Sequence, residues 1–216
     1  MIDSTCRDVG TFRPLATDTD AHPSSFHVMV TGQIESAEFP PHVTNAYCRY
    51  IVTHGPDWNL IHGMDSGLSQ IARRSSPRKE INGQPLLWNL PLDVALRSTN
   101  ISGWPRVALS VHGLDIFGRD VVRGYGSVGV PTCPGRFALE VCTYVPLEGS
   151  LCRRFWNWLY GTPPEYYDMR FVVGHEGRAV TRVKSEGTLR VVLNVTTRDI
   201  SRFGYCVSNV YCNSRM

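Results

Sequence analysis

Residues 124–129 read Gly-Tyr-Gly-Ser-Val-Gly, the G-x-G-x-x-G spacing with which a dinucleotide-binding turn approaches a pyrophosphate. Such a turn must follow a strand and open a helix, because the first amides of that helix meet the phosphate. Gly129 instead runs into Val130-Pro131 and then Cys133-Pro134-Gly135, where no helix starts. The segment therefore reads as a strand whose small residues admit a neighbouring backbone or a large side chain. Other catalytic patterns are thin. His175-Glu176 lacks the second histidine of a zincin helix, the seven histidines show no metal-ligand spacing, and there is no G-x-S-x-G elbow. No cysteine or serine has a base identifiable from sequence. The expectation is a protein that is not an enzyme and uses no cofactor.

Two carboxylates remain. Asp115 and Asp120 flank Gly118 in VHGLDIFGRDVVRGYG, which resembles the third calcium-binding loop of C2 domains, D-x-D-x-x-G-x-x-D. In that alignment Gly113 stands where the first aspartate belongs and Asp115 matches the second. Asp120 lies close to the third, with the spacing one residue short. Calcium takes about six to eight oxygens, and carboxylates must offset its charge. Asp57 and Asp65 are further candidates, but nothing in the sequence fixes them near Asp115. Asp115 and Asp120 are read as a weak remnant, and no working metal site is expected.

The elements that would position these residues follow from composition and pattern. A chain of 216 residues at 42% hydrophobic and 19% charged has material for one core, and a net charge of +3 does not call for nucleic acid. No apolar run approaches the ~18 to 20 residues of a membrane-spanning helix. The first residues show no apolar signal-peptide core, so a cytosolic chain with at most peripheral membrane contact is expected. The seven cysteines form no C-x-x-C pair and are expected to be reduced and mostly buried. Residues 1–24 are polar and aperiodic and read as a flexible tail, 25–200 as the folded domain, and 201–216 as a second tail.

Inside the domain, β-branched and aromatic residues alternate between Gly and Pro turns. Phe26, Val28 and Val30 share one face of a first strand, and YCRYIVT makes a second. Leu90, Leu92, Val94 and Leu96 follow period two, with Pro91 signalling an edge or a bulge. Val107, Leu109 and Val111 mark the next strand, and Leu189, Val191, Leu193 and Val195 the last. Residues 55–85 read as a long polar loop. Seven or so strands at regular spacing predict an all-β antiparallel β-sandwich. One short helical insertion interrupts it, running from Ser150 as N-cap to Gly161 as C-cap before Pro163 and Pro164.

Two surfaces stand out. Trp156 and Tyr160 widen the apolar arc of that helix beyond the stripe a helix on a sandwich needs. They are candidates for contact with another protein, or for burial under a loop of the same chain. Arg73, Arg74, Arg78 and Lys79 place four positive charges within residues 73–79 and could attract an anionic lipid leaflet, or simply be a solvated charged loop.

VMVTGQIESAEFP, WNLPLDVALRSTNISGWPRVALSVHGLDIFGRDVVRGYGSVGVP, PGRF, PPEY and EGRAVTRVKSEG together resemble the B9 domain family over roughly residues 26–200. The resemblance implies a divergent C2-type sandwich and a non-enzymatic role in the ciliary transition zone and basal body. It further implies, as partners, two other B9 domain proteins and tectonic-type membrane subunits of the complex associated with Meckel syndrome. That complex helps gate the entry of membrane proteins into the cilium and in animals affects hedgehog signalling. The family supplies no catalytic residues, and Gly113 fits a calcium-independent member.

Overall fold

The computed structural model describes residues 24–74, 84–115, 117–147, 149–150, 152, 156–157, 160, 164–174 and 182–205. Among these, ten strands form an antiparallel system: β1 (Phe26–Glu38), β2 (Asn45–Thr53), β3 (Trp58–Gly63), β4 (Ser66–Leu68), β5 (Ala72–Arg73), β6 (Leu86–Ser98), β7 (Arg106–Leu114), β8 (Asp120–Gly129), β9 (Gly135–Pro146) and β10 (Val183–Arg198). The order across the sheet is β3-β6-β1-β10-β9-β8-β7-β2-β4, with β5 added to β2. The sheet curls so that its two halves face each other across one core, as an all-β sandwich.

The period-two residues point where the sequence places them. Phe26, Val28, Val30, Leu92, Val94, Leu96, Val107, Leu109, Val111, Leu189, Val191, Leu193 and Val195 are all buried. A polar stitch joins the halves: the Trp88 indole N–H on β6 donates to the Ala46 carbonyl on β2 at 2.9 Å. Pro91 lies on β6 beyond the reach of β3, which pairs only with Val94 to Ser98, so its missing N–H breaks no ladder on that side. The register between β1 and β6 slips next to it, between Ile34 and Ser36.

The glycine motif lies on β8 at the corner of the curl. β8 and β9 share a single paired position, Tyr125 with Tyr144. A Cβ on Gly124 would lie 2.8 Å from the Thr143 Cβ, and one on Gly126 would lie 2.9 Å from the Val141 Cγ1. The two glycines let side chains of β9 press directly on the backbone of β8. Thr143 is itself buried and donates its hydroxyl to the Gly187 carbonyl at 2.9 Å. The G-x-G-x-x-G spacing is thus a packing device within a strand.

The long polar loop expected over 55–85 is wrong in its first half. β3 and β4 lie there, joined through Met64 and Asp65; β3 pairs with β6 at one edge of the sheet and β4 with β2 at the other. Period-two reading misses them because β3 buries only Trp58 and leaves its other five residues exposed.

Outside the main core, residues 164–174 lie over the outer face of β7 and β8. Val172 packs with Val122 and Tyr125 in a second, smaller core, joined by Tyr144 and Tyr166. The Tyr166 N–H donates to the Tyr125 hydroxyl at 3.2 Å, and the Ser110 hydroxyl meets the Met169 sulfur at 3.4 Å. This strap explains why Ser110 is fully buried on the face opposite Leu109. Beyond β10, Phe203 and Tyr205 set their rings edge-on to Phe26 at 5.6 and 6.1 Å, so packing continues past residue 200.

Candidate functional site

The aspartates of the calcium-like loop are held by protein groups. Asp115 closes the β7–β8 turn, with its N–H on the Arg119 carbonyl and its carbonyl accepting from Gly118, both at 2.8 Å. Its carboxylate pairs with the Arg119 guanidinium at 3.4 Å. Asp120 accepts the Tyr47 hydroxyl at 2.5 Å, and the Tyr47 ring stacks on His112 at 5.3 Å. Burial first, then the Asp120 carboxylate, pushes the Tyr47 hydroxyl up to about 12. Burial pulls His112 below its ordinary value, against the opposing pull of Asp120 and Glu165. Both groups are therefore neutral near pH 7, as a stacked pair in a half-buried setting requires.

Gly113 stands at the position aligned with the first aspartate of the calcium loop. It is buried on β7, and a Cβ there would stand 2.4 Å from the Asn45 carbonyl oxygen. The backbone of β2 fills the place a first aspartate needs. The residues present do not fit a calcium ion, and no group of three or more His, Cys, Asp or Glu among the described residues is arranged to hold one. Gly113→Asp should therefore destabilise the fold by about 3 kcal/mol or more, since it combines overpacking with a buried charge, and should gain no calcium response. Thermal melts with and without calcium measure both.

The arginine loop divides. Arg74 donates through Nε to the Gln84 carbonyl at 3.1 Å and through Nη2 to the Phe39 carbonyl at 2.9 Å, so its guanidinium fastens two chain segments together. Arg73 is exposed on β5, whereas Arg78 and Lys79 lie outside the described residues. On the helical insertion, Cys152, Trp156, Asn157 and Tyr160 are helical, and Leu151, Phe155, Trp158 and Leu159 lie outside the described residues. Trp156 and Tyr160 are 52% and 67% exposed, and their rings stack on each other at 5.7 Å and 15°.

The cysteines depart from expectation. Cys133 is disulfide-bonded. Cys142 and Cys152 are free and exposed. Among the described cysteines, Cys48 alone is both free and buried as expected, and burial pushes its thiol up to about 12, which removes it as a nucleophile.

Residues 28–196 match the B9-C2 family, described as "Ciliary basal body-associated, B9 protein". The chain is 46% identical over 185 residues to B9 domain-containing protein 1 of Mus musculus, covering 86% of this chain and 88% of that protein. It is 28% identical over 181 residues to B9 domain-containing protein 2 of Xenopus laevis, covering 82% of this chain and 96% of that one. Among solved structures, a C2 domain of plant Extended Synaptotagmin 1 overlaps with a TM-score of 0.39 at 11% identity, covering 79% of this chain and 95% of that domain. The family match takes in nearly every residue of β1 through β10, and the chain belongs to the B9-C2 family of ciliary basal body-associated B9 proteins.

Proposed function

We propose that this chain is a non-enzymatic structural component of a B9 protein assembly at the ciliary base, where its sandwich docks beside related domains. The observation that carries this reading is the family match across almost the whole sandwich. The likeness to both type 1 and type 2 B9 proteins supports other B9 domain proteins as its partners. The stacked, exposed Trp156 and Tyr160 supply a contact of the kind protein interfaces favour, because aromatic anchors bring large area at little entropic cost. In the wider reading, tectonic-type membrane subunits complete the assembly. Its work is cilium formation and control of membrane-protein entry at the transition zone, with consequences for hedgehog signalling in animals.

Co-expression of the full chain with the two other B9 domain proteins, followed by pull-down, tests the reading. Retention of at least one partner through a high-salt wash is the expected result; loss of both overturns it. A peripheral lipid contact is the second reading, favoured by exposed Arg73 beside the remaining basic residues of 73–79. Neutralising Arg73, Arg78 and Lys79 together, with Arg74 kept because its guanidinium is held by the Phe39 and Gln84 carbonyls, should weaken sedimentation with phosphatidylserine vesicles about a hundredfold, at about 1 kcal/mol per charge. Unchanged sedimentation removes this patch from consideration.

A further inference from the structure

A cleft of about 620 Å³ lies where the loop after β2, the loop before β7 and the strap at 164–174 converge, at the opposite end of β7 from the calcium-like turn. Its lining includes His54, Asp65, Trp104, Arg106 and Arg170. The two loops are tied at its floor, where the Gly55 N–H donates to the Gly103 carbonyl at 2.9 Å. Trp104 forms an apolar wall, since its indole N–H is already given to the Val130 carbonyl at 2.8 Å.

The charges of the described lining residues do not balance. Arg106 opens β7 and is half-buried; its Nη1 donates to the Val173 carbonyl at 3.3 Å, which anchors the guanidinium against the strap and leaves most of its donors unused. Arg170 stands on the strap itself. Asp168 caps its backbone N–H at 2.8 Å, but its guanidinium meets no carboxylate among the described residues. The one carboxylate among the described lining residues, Asp65, accepts from the Ser66 hydroxyl at 3.2 Å and pairs with neither arginine. Two guanidinium groups therefore face one carboxylate that is turned to another use.

We propose that this cleft binds an oxyanion carried on a peptide: the carboxylate or phosphate of an extended acidic segment of a protein partner, gripped by Arg106 and Arg170 beside the face of Trp104. The planar guanidinium fork matches carboxylate and phosphate oxygens, and a tethered arginine loses less freedom on binding than a free one. The volume falls within the ~300 to 1,000 Å³ of ordinary ligand clefts, which leaves room for the residues flanking the anion. A half-buried arginine behind an indole wall suits a chain that threads inward, whereas a membrane surface meets cations that protrude. The inference goes beyond the assembly reading and does not depend on which protein carries the acidic segment.

The test uses the full ¹⁵N-labelled chain and three acetylated nonapeptides: one rich in glutamate, one with phosphoserine replacing a central glutamate, and one with glutamine throughout. Inorganic phosphate and phosphatidylserine vesicles form two further arms. The glutamate and phosphoserine peptides should saturably shift the Gly55, Gly103 and Gly174 amides and the Trp104 indole N–H, while the glutamine peptide leaves them in place. Arg170→Gln, on an exposed side chain, should weaken binding about tenfold to a hundredfold, as expected for loss of a charge-assisted contact. Arg97→Gln, an exposed arginine on β6 away from the cleft, should leave binding unchanged and so rule out a general charge effect. The proposal is overturned if neither acidic peptide moves these signals, or if Arg170→Gln binds like the parent. It is equally overturned if inorganic phosphate binds as tightly as the phosphopeptide, or if only vesicles perturb the cleft. Pull-down of B9 partners is a separate measurement, so either result can fail without the other.

Discussion

Trp58→Ala is expected to lower the free energy of unfolding by about 3–5 kcal/mol, the range for emptying a buried tryptophan site. Against a typical total of about 5–15 kcal/mol, that removes a large part of the stability. Trp58 is 2% exposed and stands between two other rings, edge-on to Phe26 at 5.4 Å and to Trp104 at 5.2 Å. Its indole N–H donates to the Ser102 carbonyl at 2.8 Å, so truncation leaves both a cavity and an unpaired acceptor. Urea unfolding should show a lower midpoint at an unchanged slope, and Trp58→Phe should recover more than half of the loss. A loss below about 1 kcal/mol would mean that β3 is not seated on the core through this residue.

The second large effect concerns binding. Trp156→Ala with Tyr160→Ala should weaken binding of the B9 partner about a thousandfold, because each aromatic anchor at a protein interface is typically worth about 2 kcal/mol. The melting temperature should fall by no more than about 2 °C, since both side chains are largely exposed. Retention equal to that of the parent would place the docking face elsewhere on the sandwich. A collapse of the melting temperature would assign the pair to holding the helix rather than to a partner.

The sequence carries the fold where a strand has one wet and one dry face. Leu90 to Leu96 and Leu189 to Leu193 announce themselves by alternation, and the structure buries every marked residue. β3 and β4 are hidden for the same physical reason, because WNLIHG and SGL have almost no dry face to pattern them. The width of the helix's apolar arc is legible in the sequence, and Trp156 and Tyr160 on it are more than half exposed. The anchoring role of Arg74 is not legible there, since its acceptors are carbonyls of Phe39 and Gln84, and carbonyls leave no mark in a sequence. The cleft is equally silent: Arg106 and Arg170 are 64 positions apart (170 − 106) and meet only because the strap folds back over β7. The family resemblance named the architecture, whereas Gly113 needed the Asn45 carbonyl in view before its meaning was clear.

The position of β10 has a consequence for synthesis. It is the last strand of the sandwich to leave the ribosome, yet it lies inside the sheet, paired along one side with β1 and along the other with β9. A nascent chain stopped short of residue 183 therefore leaves the edges of β1 and β9 that β10 would pair with open, each a row of unpaired N–H and C=O groups. The sandwich closes only once β10 has emerged, and until then those edges are open to pairing with other chains. A nonsense codon anywhere upstream of β10 thus yields an aggregation-prone fragment rather than a smaller working domain.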